Sequence, residues 1–420
     1  MFIHEVQSGD SLFKISSMYR ISIDQLRMVN GLIQTNLVTG QALLIPLYTY
    51  IIQPGDTLFT IARKAFITLE QLRNANPSIN AASLQVGMQI RIPDISNYLA
   101  STFSFYVVRS PALDQRLITD FSPYSTLISL FEYHFAANGD IVNELNDVTA
   151  VQTTWQSRVT PIATVTNLTA QGFGPELVHE VLNNPAARTN LVDNIFSLVS
   201  RKGYGGVTID FEQVREEDRD LFTGFLRQLA GRLKPAGFLV TVAVPAKTSE
   251  DAPWLRGYDY GGIGAVVDYM FIMAYDWHHA GSDPGPVAPL REVRRTIEFA
   301  AERLSRRKII LGIPLYGYDW VIPYRSGTAA AAISNQNAVE TAMRYQASIQ
   351  YSRADESPFF RYTDNQGITH EVWFEDVRSI SAKMVLVREY GLQGLGAWQL
   401  TLGFAQGPWL LRKFFTIRKR

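Results

Sequence analysis

From residue 103 onward, short runs of apolar residues alternate with longer amphipathic stretches. The apolar runs fall at 103–109, 127–135, 159–165, 207–211, 238–245, 267–275, 309–315 and 394–399. They are apolar at nearly every position rather than at every second one, which predicts strands buried on both faces. Between most of them, apolar residues recur with helical spacing, notably at 188–201, 216–233, 290–306 and 376–390. Eight strand–helix units in about 310 residues predict an α/β chain closed into a (β/α)8 TIM barrel with room for insertions.

The first 93 residues break this rhythm and repeat internally. Val6-Gln7-Ser8-Gly9-Asp10-Ser11-Leu12 returns as Ile52-Gln53-Pro54-Gly55-Asp56-Thr57-Leu58. Ile15, Leu26 and Asn30 return as Ile61, Leu72 and Asn76; Leu37, Gly40 and Pro46 return as Leu84, Gly87 and Pro93. Each unit, 1–47 and 48–93, reads strand, turn, helix, helix, strand. Its Gly-Asp turn supplies the bend, and the following Ser or Thr caps the first helix. A polar stretch, 94–102, reads as a linker to the barrel, 103–420. The longest interruption of the barrel, 319–373, is rich in aromatics, most of them expected in the core of an insertion. Trp320 and Tyr324, beside the barrel mouth, are the better candidates for ligand contact.

Composition narrows the partners. Lys plus Arg and Asp plus Glu number 39 each, so no global field recruits nucleic acid or an anionic membrane. The absence of cysteine excludes disulfides, thiolate metal sites and cysteine nucleophiles. The six histidines are scattered, and the His278-His279 pair reads as loop residues rather than metal ligands. The first ten residues lack the basic and apolar regions of a signal peptide, and no apolar run reaches membrane-spanning length. The expected site is therefore metal-free and cofactor-free.

The candidate chemistry centres on residues 202–214. A helix-like run ends at Lys202-Gly203, and a short apolar strand then carries Asp210 and leads into Glu212. Residues two apart on a strand point the same way, so the two carboxylates share the strand's C-terminal end, where barrels hold their active sites. Two such groups suit glycoside hydrolysis, which needs an acid for the leaving oxygen and a second group to steady the sugar cation. A bare Asp-x-Glu more often caps a helix or pairs with a neighbour such as Arg215.

The surrounding residues alter that balance. Gly205-Gly206-Val207-Thr208-Ile209-Asp210-Phe211-Glu212 resembles the DxxDxDxE signature of the family 18 glycoside hydrolases, with Gly205 and Thr208 at the first two Asp positions. The resemblance implies that Glu212 is the acid/base and that Asp210 orients the substrate's N-acetyl group. It also implies that Thr208 donates a hydrogen bond to Asp210 where the inner Asp is missing. Met273-Ala274-Tyr275-Asp276 resembles the family's M-x-Y-D motif, in which the Tyr hydroxyl holds the acetamide and the Asp adds polar contacts. Trp398 resembles the tryptophan that floors the reacting sugar's subsite. Tyr316 belongs to a strand-seven motif, Gly312 to Gly317, which Tyr318 follows where the family often has Arg. Glu132 and Tyr133 stand where the second strand lines the cleft, at positions the family commonly fills with small residues. The catalytic set is then Glu212, Asp210 and Tyr275. The substrate-binding set is Asp276, Trp398, Thr208, Met273, Tyr316, Glu132 and Trp320. The insertion is implied to be a small α+β unit walling the cleft.

The two N-terminal units resemble LysM modules, which bind N-acetylglucosamine-containing glycans such as peptidoglycan and chitin, with the turn and the Asn30 and Asn76 regions offering backbone groups to acetamides. The combination of modules resembles the cortical fragment-lytic enzymes of endospore formers, N-acetylglucosaminidases of cortex peptidoglycan. That resemblance implies substrate-assisted retaining hydrolysis. It also implies production in the mother-cell cytoplasm, assembly into the spore coat and cortex region, and coat proteins as docking partners. A chitinase-type hydrolase of another glycan, and a catalytically silent glycan-binding protein of the spore surface, are the alternative readings.

Overall fold

The computed structural model describes residues 1–79, 84–95 and 97–419. Residues 80–83 of the second repeat and residue 96 of the expected linker lie outside the described part. The first repeat is β1 (Phe2–Glu5), α1 (Leu12–Tyr19), α2 (Ile23–Asn30) and β2 (Ala42–Ile45), with β1 antiparallel to β2. The second is β3 (Thr49–Ile51), α3 (Leu58–Lys64), α4 (Leu69–Ala75) and β4 (Gln89–Arg91), paired in the same way. The turn before the first helix needs Gly9 and Gly55 at φ of 84° and 81°, a region that glycine enters without strain. Ser11 and Thr57 then cap α1 and α3. Asn30 donates to the carbonyls of Leu26 and Leu44 at 2.8 and 2.9 Å. Asn76 donates to those of Leu72 and Arg91, both at 2.8 Å. These amides staple the second helix of each unit to its closing strand.

Eight parallel strands form the barrel: β5 (Tyr98–Val107), β6 (Leu127–His134), β7 (Thr160–Thr166), β10 (Gly206–Asp210), β11 (Leu239–Pro245), β12 (Tyr269–Met273), β13 (Ile309–Pro314) and β19 (Gly394–Trp398). A small hairpin, β8 (Leu168–Thr169) and β9 (Gly172–Phe173), follows β7. Pairing of Gly394 and Leu395 with Ser101 and Thr102 closes the ring between β19 and β5. The barrel therefore starts inside the stretch that read as a linker. Ser101 and Thr102 made that stretch look polar, but their hydroxyls are satisfied, Ser101 by Gln393 at 2.8 Å and Thr102 by the carbonyl of Tyr124 at 2.7 Å. A further strand, β20 (Phe415–Ile417), runs parallel to the start of β5.

Alternation of side chains sets two layers. Phe103, Phe105, Phe131, Ile162, Phe271 and Ile310 fill the barrel interior. Leu130, Tyr133, Val207 and Ile209 face the helices instead. The insertion is a five-stranded antiparallel sheet in the order β15 (Ala331–Ser334), β14 (Tyr316–Ile322), β18 (Thr369–Trp373), β17 (Ser357–Thr363) and β16 (Gln350–Ser352), with helix Asn335–Arg344 against it. It begins at Tyr316 rather than 319, because the strand runs on with only Leu315 between it and β13.

The first repeat is fixed to this body. A Cβ on Gly40 would lie 1.7 Å from the carbonyl oxygen of Ile349, so only glycine fits there. Ile349 N donates to Thr39 O at 2.9 Å, and Gln406 Nε2 donates to Asn30 Oδ1 at 2.6 Å. Arg378 reaches Glu5 at 3.1 Å and the carbonyl of Gly40 at 3.2 Å. Among the described residues, no helix is long and apolar enough to cross a membrane.

Candidate active site

Asp210 is the last residue of β10, and Glu212 stands in the loop just beyond it. Asn167, directly after β7, clamps that loop: its Oδ1 accepts from Glu212 N at 2.8 Å and its Nδ2 donates to Glu212 O at 2.9 Å. Tyr258 holds the same loop from the far side, donating to Phe211 O at 2.9 Å and accepting from Val214 N at 3.2 Å. Both carboxylates line a cleft of about 810 Å³ at the C-terminal end of the barrel.

Tyr275 and Asp276 follow β12 into the same cleft. Asp276 adopts φ of 63°, and its Oδ1 accepts from the hydroxyls of Tyr316 at 2.7 Å and Tyr318 at 3.2 Å. The Tyr275 hydroxyl is buried without a partner among the described residues, an unmet capacity that a ligand can fill. Trp398, at the end of β19, packs edge-on against Phe131 and Phe105 at 4.9 and 5.3 Å between ring centres. With Met273 these rings line the cleft, and a half-buried indole can receive the apolar face of a sugar.

Burial, then the charges of Asp210 and Asp276, push the Glu212 carboxyl well above the usual carboxylate range. Burial, followed by the charge of Glu132, pushes Asp210 up to about 7. Burial and the neighbouring Asp276 hold the Tyr275 proton in place. A protonated Glu212 in this cleft is equipped to donate to a leaving oxygen and to take a proton back.

Five expected contacts are not made. Thr208 is fully buried and spends its hydroxyl on Ser129 and Thr241 at 2.9 and 2.8 Å, so it does not donate to Asp210. Tyr316 lies behind the cleft and acts on it through Asp276. Trp320 is 1% exposed and gives its indole N–H to Ser282 O at 2.9 Å, inside the cluster with Tyr318 and Trp373. Tyr324 likewise donates to Gly281 O at 3.0 Å. Glu132 does not line the cleft, where Phe131 stands instead. Conversely, sequence reasoning passed over Asn167, the hairpin residues Leu168 and Phe173, and Trp254. Trp254 is 74% exposed on the lip of the cleft after β11. A tryptophan in the polar stretch Ser249 to Asp259 was the available signal for it.

Among the described residues, no group of three or more His, Asp or Glu side chains is placed to hold a metal ion. Comparison with known proteins agrees with the geometry. The family description "Glycosyl hydrolases family 18" matches residues 171–403, and the LysM domain matches 4–46 and 50–93. The chain is 70% identical to YdhD of Bacillus subtilis, named as a sporulation-specific glycosylase, over the whole length of both. It is 37% identical to the cortical fragment-lytic enzyme of Bacillus subtilis across 73% of this chain and 72% of that one. The crystal structure of the Bacillus cereus spore cortex-lytic enzyme SleL superposes with a TM-score of 0.89 at 30% identity, covering 99% of each chain. With the acid pair at the end of the fourth strand and two LysM domains ahead of the barrel, the chain belongs to the glycosyl hydrolases of family 18.

Proposed function

We propose that this hydrolase is an N-acetylglucosaminidase that cleaves β-N-acetylglucosaminyl linkages in fragments of spore cortex peptidoglycan, with the LysM domains holding the glycan. The observation that carries this reading is Glu212, half-buried, with its carboxyl pushed well above the usual range, clamped in a cleft beside Asp210 and a Tyr275 hydroxyl that has no partner among the described residues.

In this reading Glu212 gives its proton to the glycosidic oxygen as the bond to the anomeric carbon breaks. The acetamide oxygen of the same sugar attacks that carbon from the opposite side and forms an oxazolinium ring. Tyr275 donates to the acetamide oxygen, and Asp210 accepts from its N–H and balances the positive charge. Glu212, now ionised, takes a proton from water, which opens the ring with overall retention. The names of the relatives, a sporulation-specific glycosylase and cortex-lytic enzymes, support a place at the spore cortex; we propose the coat region as its site of assembly and coat proteins as its docking partners.

Product analysis on purified cortex fragments and on chitin oligomers, side by side, tests the reading. Release of N-acetylglucosamine from cortex fragments, first in the β configuration, is expected. Preferential cleavage of chitin oligomers would make it a chitinase-type enzyme. Binding of both without cleavage would make it a silent glycan-binding protein.

A further inference from the structure

Two carboxyl oxygens at this end of the barrel have no donor among the described residues. Glu132 Oε2 and Asp210 Oδ1 are both shielded from water and both lack a hydrogen-bond partner. The fold brings these groups towards each other. Only β7 separates β6 from β10 in the sheet, and Tyr133, Val165 and Ile209 lie level across the three strands. A bulge between Leu130 and Tyr133 interrupts the register. Leu130 and Tyr133 face the helices while Phe131 faces the barrel interior, which leaves Glu132 at the irregular step above that interior.

The other groups around the pair are few. His134 Nε2, on the same strand, lies 3.2 Å from Glu132 Oε1 but off the hydrogen-bonding angle. Glu212, Tyr275 and Asp276 face Asp210 from the cleft side, and Thr208 below it is spent on other hydroxyls. Among the described residues no cation is paired with Asp210, and Glu132 supplies the neighbouring charge that it feels. A buried carboxylate and a half-buried one without a full counter-charge disfavour joint ionisation, because each charge adds to the cost of the other. One proton between them leaves a single negative charge, which is what a developing sugar cation requires.

We propose that Glu132 is a positioning residue for the hydrolysis: it and Asp210 hold one proton between them, so that Glu132 sets the charge state of Asp210 under the reacting sugar. Glu132 thereby does from the second strand what no second carboxylate on the fourth strand does here, since Gly205 and Thr208 carry none. The inference rests on the role given to Asp210 under the proposed function.

The test reads Asp210 directly, apart from turnover. In the full-length chain labelled with ¹³C at the aspartate carboxyls, the Asp210 signal is identified by its loss in Asp210→Asn, and its midpoint is compared in wild type and Glu132→Gln. The midpoint is expected to fall by ~1 pH unit or more when the neighbouring charge is removed, and the acidic limb of kcat is expected to move down with it. An unchanged midpoint overturns the coupling. A shifted midpoint with an unmoved kcat limb overturns the positioning role while leaving the hydrolase reading intact. Should Glu132→Gln fail to fold, the wild-type chain is labelled at the glutamate carboxyls as well, and its Glu132 and Asp210 signals decide alone. Linked two-step curves support the pair, and two independent single steps overturn it.

Discussion

Asn167 grips Glu212 by both ends of one residue's backbone, accepting from its N–H at 2.8 Å and donating to its carbonyl at 2.9 Å. The acid is therefore held by its backbone, which leaves the carboxyl free to change protonation during the cycle. Asn167→Ala removes both bonds and lets the loop after β10 relax. A kcat lower by ~10–100-fold with KM little changed is expected, the usual size of a small misplacement of a reacting group. Steady-state kinetics on a soluble N-acetylglucosamine glycoside checks it. A variant with wild-type kcat would show that the clamp is dispensable.

Asp210 makes a second prediction, about stability. Its proton is held more tightly in the folded chain, with the carboxyl raised from 3.8 to about 7, so the folded state binds more protons than the unfolded state between those values. Stability is then fully present below about pH 4, falls as pH rises through about 7, and is level above that. Asp210→Asn removes this dependence and should gain on wild type between pH 4 and pH 8 by up to ~4 kcal/mol. Denaturant unfolding of both chains at the two pH values measures it. A difference that is equal at both would contradict the burial of an ionising group there.

The repeats predict a division of labour. Phe13 and Phe59 occupy equivalent positions in the two units, directly after the first residue of α1 and α3, and both are exposed, at 70% and 62%. An uncovered phenyl ring at the same place in two copies suits the apolar face of a sugar. The double substitution Phe13→Ala/Phe59→Ala should weaken sedimentation with insoluble peptidoglycan by at least ~10-fold, since two linked weak sites are lost together. Hydrolysis of small soluble glycosides should be unaffected. Undiminished sedimentation would assign the rings another partner.

The parts of this protein that can be read from its sequence are those with a local period. Buried strands announce themselves as apolar runs, and two-residue alternation by itself puts Asp210 and Glu212 on one side. The first half of β5 escapes such a reading because Ser101 and Thr102 satisfy their hydroxyls across the barrel, a relation no local window contains. Trp320 departs from its expected place for a related reason. Along β14, Tyr316, Tyr318 and Trp320 alternate onto one face and stack edge to face at 5.5 Å, which turns all three into the insertion rather than the cleft. Thr208 shares the face of Asp210, as its spacing requires, yet its hydroxyl is claimed by Ser129 and Thr241 from neighbouring strands. Asn167 and Trp254 act from loops, where position carries little periodic signal.

The central claim is that the substrate's own acetamide is the nucleophile and that Glu212 only moves protons. The most direct measurement is the inhibition constant of a thiazoline mimic of the oxazolinium ring, set against that of the corresponding sugar product. Binding at least ~100-fold tighter than the product is expected, because intermediate mimics exploit contacts that the product does not make. A mimic that binds no better than the product, together with a covalent glycosyl adduct on Asp210 after incubation with a fluorosugar, would contradict it.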